Sequence, residues 1–376
     1  MLAQTLVLRI ILVAILFWLG PAGGVAGQAP RRLSDSEYSR LIQRLSEDPG
    51  YFNSDNLITN ESSYLQVLGG LRSLGVHDGV YLGVGPEQNF TYIAKVRPRL
   101  AIILDIRRQN LIFHWFFKSL FEMSQNRLEY LSYLFCKPLP VKIPLDKKGD
   151  VEHLLTFLEA IPPDAKLFQK NLVMIESRLR MNHHFTLSAA DEKTIRDIYK
   201  EFFDNQFEIR FRSYGRPMYH FYPSFKEIAL ERDLEGKWGN YLNSEEDFRF
   251  LKRLQERNLI IPVVGDFAGP KAMRSIGAYI RAMDETVSVF YVSNVEFYLL
   301  QNGFFGQYGE NLKLLPFDAR SLLIRAYFRF PHPERLPGYI SVTLLQRSNS
   351  FIQIFDAKQY LSYQELGLRD YIAFKE

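Results

Sequence analysis

The stretch from Gly79 to Asp105 constrains this chain more than any other part of it. It reads Gly-Val-Tyr-Leu-Gly-Val-Gly from Gly79 to Gly85, then a short connecting segment from Pro86 to Lys95, then Leu-Ala-Ile-Ile-Leu-Asp from Leu100 to Asp105. Two apolar runs of strand length without polar alternation are strands buried on both faces. The segment between them has room for one crossover helix, and a crossover makes the strands it joins parallel. The predicted unit is βαβ, with a glycine turn closing the first strand and a carboxylate closing the second.

The same pattern returns near the C-terminus. Leu259 to Asp266 is the third predicted strand, Gly269-Pro270 opens a helix to about Met283, and Val287 to Ser293 is the fourth strand. Ser321 to Phe328 and Tyr339 to Leu345 are closing strands, antiparallel at the edge. Between the two halves, an amphipathic helix runs from Gln109 to about Phe135, and Pro138 to Asn258 stays mostly helical. Ser188 with Asp191 and Ser244 with Asp247 are caps there, Pro162-Pro163 and Gly215 are breaks, and the alternation from Phe207 to Phe211 suits a short strand. Ahead of the sheet, Ser34 and Glu37 form a capping box, and Tyr64 to Leu74 is a short helical stretch. The fold class is α/β: a Rossmann-like, mostly parallel sheet in a domain over 79–376, with a helical insertion at about 138–258 and an N-terminal helical segment over 30–78.

The first 29 residues differ from the rest. Arg9 precedes an apolar run from Ile10 to Leu19, a Gly20-Pro21 break, and small residues ending at Ala29. This matches a secretory signal cleaved after Gly27 or Ala29. The expected location is secreted or periplasmic. The alternative is an uncleaved anchor followed by Arg31, Arg32, Arg40 and Arg44, with this segment as the sole membrane contact.

The chain's 46 basic and 42 acidic residues are interleaved, which gives no basic face for nucleic acid. With 47% apolar residues, including 30 Phe and 21 Tyr, a large core is available. Cys136 is the single cysteine, so no intramolecular disulfide or paired-thiol metal site can form, and its neighbours Leu134, Phe135 and Pro138 predict burial. His183 and His184 are adjacent and diverge on a helix, so no metal site is expected; a Gly-x-Ser-x-Gly elbow is also missing. Asn60 and Asn89 stand in Asn-x-Ser/Thr sequons.

Chemistry is expected at strand C-termini, where open α/β sheets bind ligands. Gly83 and Gly85 let a ligand approach the main chain, and Asp105 stands where a ribose hydroxyl pair is bound. Asn110, His114 and Lys118, spaced four apart, form a polar stripe on the following helix. Asn294 and Glu296 follow the fourth strand.

The succession Gly83-Val84-Gly85, Asp105, Gly265-Asp266 and Ser293-Asn294, each after an apolar strand, resembles the class I S-adenosylmethionine-dependent methyltransferases. The chain is also similar to bacterial proteins carrying VPVVGDFAGPKA-like and YVSNVE-like segments. The methyltransferase resemblance implies S-adenosylmethionine as cofactor. It puts the methionine end at Gly83 and Gly85, the ribose on Asp105 and the adenine by Asp266. Asn294, Glu296 and His114 become the candidate catalytic residues facing a small-molecule or other acceptor. Tyr81 and Leu82 stand where that family carries an acid ahead of the first glycine. The second hypothesis is a non-catalytic extracytoplasmic binding or scaffold protein on a degenerate form of the same fold. Both expect Gly83, Gly85, Asp105, Asp266 and Asn294 to converge at one sheet edge, with Asn110, His114 and Lys118 facing it.

Overall fold

A computed structural model of the chain describes residues 32–141, 149–217, 219–360 and 362–374. The segment expected to be a signal or an anchor lies outside the described residues, and no described helix is long and apolar enough to cross a membrane.

Along the chain come α1 (Asp35–Leu45), α2 (Leu68–Ser73), β1 (Val80–Gly83), α3 (Gln88–Val96), β2 (Leu100–Asp105), α4 (Arg108–Met123) and α5 (Arg127–Phe135). The insertion holds α6 (Val151–Glu159), α7 (Ala165–Ser177), α8 (Ala189–Asn205), α9 (Phe225–Leu230) and α10 (Glu245–Glu256). The sheet resumes with β3 (Ile260–Val264), α11 (Ala272–Ala282), β4 (Val287–Ser293), α12 (Val295–Gln301) and α13 (Phe305–Leu312). It closes with β5 (Leu322–Phe328), β6 (Ser341–Arg347), α14 (Ser348–Asp356) and α15 (Tyr363–Leu368).

The six strands lie in the order β3-β2-β1-β4-β5-β6, parallel except for β6, which runs antiparallel to β5. This is a Rossmann-like doubly wound sheet. Strands β1, β2 and β3 are buried along their whole length, as expected for strands covered on both faces. Chain order reverses at β1, whose neighbours are β2 and β4, so the crossovers leave opposite faces and open a crevice at the strand C-termini.

Strand β3 is an edge, which explains how it tolerates Pro262, since no strand asks for that residue's missing N–H. The N-terminal segment covers this edge. The hydroxyl of Tyr38 donates to the Ile260 carbonyl at 3.0 Å, Glu47 N donates to the Val264 carbonyl at 2.9 Å, and Val264 N donates to Ser46 Oγ at 3.1 Å. These bonds occupy groups that would otherwise template aggregation.

Three sequence expectations need correction. The helix expected from Gln109 to Phe135 is two helices, because Ser124 is extended and Asn126 caps α5 by accepting from Glu129 N at 2.9 Å. Phe207 to Phe211 is no strand: a 3₁₀ turn spans Gln206–Glu208, and a single bridge joins Arg210 to Ser224. The helical stretch expected over Tyr64 to Leu74 is helix only from Leu68 to Ser73, with turns before it. The caps at Ser34, Ser188 and Ser244 all form.

Candidate functional site

A cleft of about 290 Å³ opens at the C-terminal edge of the sheet, over the point where strand order reverses. Each wall is the end of a different element. The β1–α3 turn supplies Val84 to Pro86 and Gln88, β2 ends in Leu104 to Arg107, β3 ends in Gly265 to Phe267, and β4 ends in Ser293 to Val295. A loop ahead of α2 lays Tyr51, Phe52, Asn56 and Thr59 to Glu61 over the opening.

Of the residues expected to meet, Gly85, Asp105, Asp266 and Asn294 line this cleft. Gly85 has φ +82°, a left-handed conformation that favours glycine, and a Cβ there would meet Asn56 Nδ2 at 3.2 Å. Gly83 does not line the cleft. Its missing side chain makes room for Asn89 Oδ1, which a Cβ would approach to 2.0 Å, so its glycine is a packing requirement. Asn89 accepts from the Tyr81 hydroxyl at 2.8 Å and donates to the Val84 and Pro86 carbonyls at 2.9 and 2.7 Å, locking the turn. Buried and bonded in this way, Asn89 offers no acceptor amide for a glycan.

Asp105 is buried and already engaged. Its Oδ1 accepts from Arg107 N at 2.9 Å and Nε at 3.1 Å, and its Oδ2 accepts from Arg107 Nη2 at 3.1 Å. The remaining guanidinium nitrogen donates to the Ser54 and Asp55 carbonyls at 3.2 and 3.0 Å, so this ion pair also fastens the covering loop. Asp266 is half-buried and bridges its own turn by accepting from Ala268 N at 2.8 Å. The N–H groups of that turn go to Glu47, which accepts from Asp266, Lys271 and Ala272 at 2.7, 2.9 and 3.0 Å. The chain thus provides its own carboxylate at the start of α11.

Two of the candidate catalytic residues sit elsewhere. Glu296 is buried against Arg325, which donates to it at 2.7 and 3.1 Å, and it accepts from the Tyr308 hydroxyl at 3.0 Å. Its role is to pair a buried guanidinium under β5, away from the cleft lining. His114 is buried behind the glycine turn, where its Nε2–H donates to the Gly85 carbonyl at 3.0 Å, and desolvation pushes the imidazole down to about 4. A neutral, donating His114 props the turn from below.

The rest of the expected stripe is buried as well. Lys118 reaches α10 instead of the cleft, pairing with Glu122 at 2.8 Å and donating to the Gln255 carbonyl. Glu122 is held near 2 by His183 and Lys118, against the desolvation that raises it. His183 also reaches Asp35 at 2.7 Å, so this charge cluster ties α1 to the insertion. Cys136 is buried, with its thiol 3.0 Å from the Tyr199 hydroxyl, and burial pushes it up to about 12. No group of three or more metal-ligating side chains gathers among the described residues.

The residue missed in the sequence is Glu61. It is 1% exposed and lines the cleft, and its Oε1 accepts from the Tyr291 hydroxyl at 2.7 Å and from the Ser293 hydroxyl. Desolvation raises its carboxyl to about 7, with those two hydrogen bonds opposing. Its sole sequence signal is the Asn60 sequon beside it, which reads as a surface loop. Ser293 has φ +54°, an unusual left-handed conformation for serine at a strand end.

Sheet and cleft together define an α/β protein of the doubly wound kind, with its cleft at the switch point. The chain belongs to the family described as Domain of unknown function (DUF7790), whose model matches residues 57–136 and 169–367. Among curated proteins, none matches the chain.

Proposed function

We propose that the cleft binds S-adenosylmethionine and that the protein is methyltransferase-like, acting on an acceptor that its polar wall selects. The observation that carries this reading is the meeting of Gly85, Asp105, Asp266 and Asn294 around one cleft at the strand ends. The balance of charge supports it. Glu61, Asp105 and Asp266 line the cleft, against Arg107 as the one cation among the lining residues, and Arg107 is tied to Asp105. Tyr51, Phe52, Phe211, Phe267, Tyr298 and Phe304 add aromatic faces. Carboxylates and rings favour a cationic ligand such as a sulfonium and disfavour a pyrophosphate. Glu47 at the α11 N-terminus removes a further anion site. The fit is partial at Asp105, where Arg107 leaves part of Oδ2 to accept a ribose hydroxyl.

That same ion pair favours the second reading, a non-catalytic extracytoplasmic binding protein. Here Asp105 serves to fix the covering loop, and export follows from the N-terminal segment. Calorimetry of the purified chain with S-adenosylhomocysteine, S-adenosylmethionine, NADH and ATP separates the two. The first reading expects saturable heat with the two sulfur nucleosides and none with the phosphate-bearing ligands. No heat from any adenosyl ligand at millimolar concentration leaves the second.

A further inference from the structure

Two buried oxygens on residues that line the cleft have no hydrogen-bond partner among the described residues: Glu61 Oε2 and Gln88 Oε1. Both side chains are at least nine-tenths buried, at 1% and 2% exposure. They are coupled through one phenol. Gln88 Nε2 donates to the Tyr291 oxygen at 2.5 Å, which commits the Tyr291 hydroxyl to donate to Glu61 Oε1 at 2.7 Å. Ser293 donates to the same oxygen. The Tyr291 and Ser293 hydroxyls are therefore committed to Glu61 Oε1, which leaves Gln88 Oε1 and, when Glu61 is ionised, its Oε2 to accept. Unpaired acceptors buried in this way are costly unless a donor reaches them.

We infer that Glu61 and Gln88 form an amine-binding subsite, whose occupant is a primary amine carried on an apolar or aromatic body. A hydroxyl offers one donor, whereas a primary ammonium offers three, enough in number for two acceptors. The cleft's carboxylates complement the positive charge, and its rings accommodate the body. A carboxyl held at about 7 is half ionised at neutral pH, so it can accept a proton as well as a hydrogen bond.

Resting on the cofactor reading, the subsite also defines an acceptor. With S-adenosylmethionine bound, Glu61 would take one proton from the ammonium and pass it to solvent, and the cofactor would supply the methyl group to the freed nitrogen lone pair, leaving a neutral thioether and an N-methylammonium. Ser293 and Tyr291 are positioning residues that hold Glu61 Oε1 and leave its Oε2 to receive the proton.

The test is titration of benzylamine, and of benzyl alcohol as its neutral counterpart, into the full chain at pH 7.5 with and without S-adenosylhomocysteine. Wild type, Glu61→Gln and Gln88→Leu are compared after their melting temperatures show intact folding. The inference expects saturable benzylamine binding, at least tenfold weaker in Glu61→Gln and weakened in Gln88→Leu, with benzyl alcohol at least tenfold weaker in wild type. Benzylamine binding equal in wild type and Glu61→Gln, alcohol binding as tight as amine, or no amine binding at 50 mM would each overturn it. Failure of S-adenosylhomocysteine alone to bind removes the cofactor reading and leaves the amine result to stand or fall by itself.

Discussion

Burial pushes the carboxyl groups of Glu61 and Glu87 up to about 7 and about 8, so both keep a proton to higher pH in the fold than in the unfolded chain. For Glu87 neither oxygen has a hydrogen-bond partner among the described residues, and the side chain lies near Tyr64, Tyr130 and Tyr241. The sign follows from proton binding. Between the ordinary carboxyl range and about 8 the folded state holds a proton that the unfolded chain has released, so stability falls as pH rises through that window. Each unit of difference is worth on the order of 1 kcal/mol. Glu87→Gln is expected to raise the melting temperature over wild type by an amount that grows from pH 5 to pH 8; parallel curves would contradict a protonated Glu87. His114 acts with the opposite sign. Its imidazole is pushed down to about 4, so the unfolded chain binds the proton first and stability falls as pH drops from about 6.5 toward 4. His114→Ala removes both the support under Gly85 and buried volume, for an expected loss of about 3 kcal/mol in denaturant unfolding. A loss below about 1 kcal/mol would mean that the turn needs no prop.

Among the elements, those read most reliably from sequence are the ones whose signal is local. Strand β2 begins and ends where its predicted run does, because a strand buried on both faces has no polar residue inside it to blur its limits, and β4 matches its predicted run although Ser288 and Ser293 are half-buried. The α4–α5 break at Ser124-Gln125-Asn126-Arg127 was hidden because Leu120, Leu128 and Leu131 on either side of it keep helical spacing, while the deciding signal is one capping side chain at Asn126. Phe207 to Phe211 alternates like a strand but has no sheet edge to join, and a single bridge is all that forms. Glu47 shows what sequence conceals most. It lies far from α11 along the chain, yet its carboxylate satisfies two N–H groups at the start of that helix, those of Lys271 and Ala272, and that of Asp266 in the turn before it. Glu47→Ala is expected to cost about 1 to 3 kcal/mol. It should also speed amide exchange at Lys271 and Ala272 selectively, whereas a uniform change along the chain would argue against a local cap.

For the molecule as a whole, the cleft is a product of topology. Strand order brings Gly85, Asp105, Asp266 and Asn294 together, and these were legible because each follows an apolar strand. Glu61 and the aromatic cover arrive on a loop with no periodic signal, so they become visible only once the chain is folded. The family match includes all six strands and Glu61, but neither Glu47 nor the ring residues Tyr51 and Phe52. The central claim, a cleft that holds an adenosyl sulfonium or its thioether product, is tested most directly by calorimetric titration of S-adenosylhomocysteine into wild type, Asp105→Asn and Gly85→Val. The account expects saturable binding to wild type. It expects a five- to 150-fold weakening for Asp105→Asn, about 1 to 3 kcal/mol for one lost polar contact, and loss of binding in a folded Gly85→Val. Wild-type binding that neither substitution changes would place the ligand elsewhere, and no binding at millimolar ligand would contradict the claim outright.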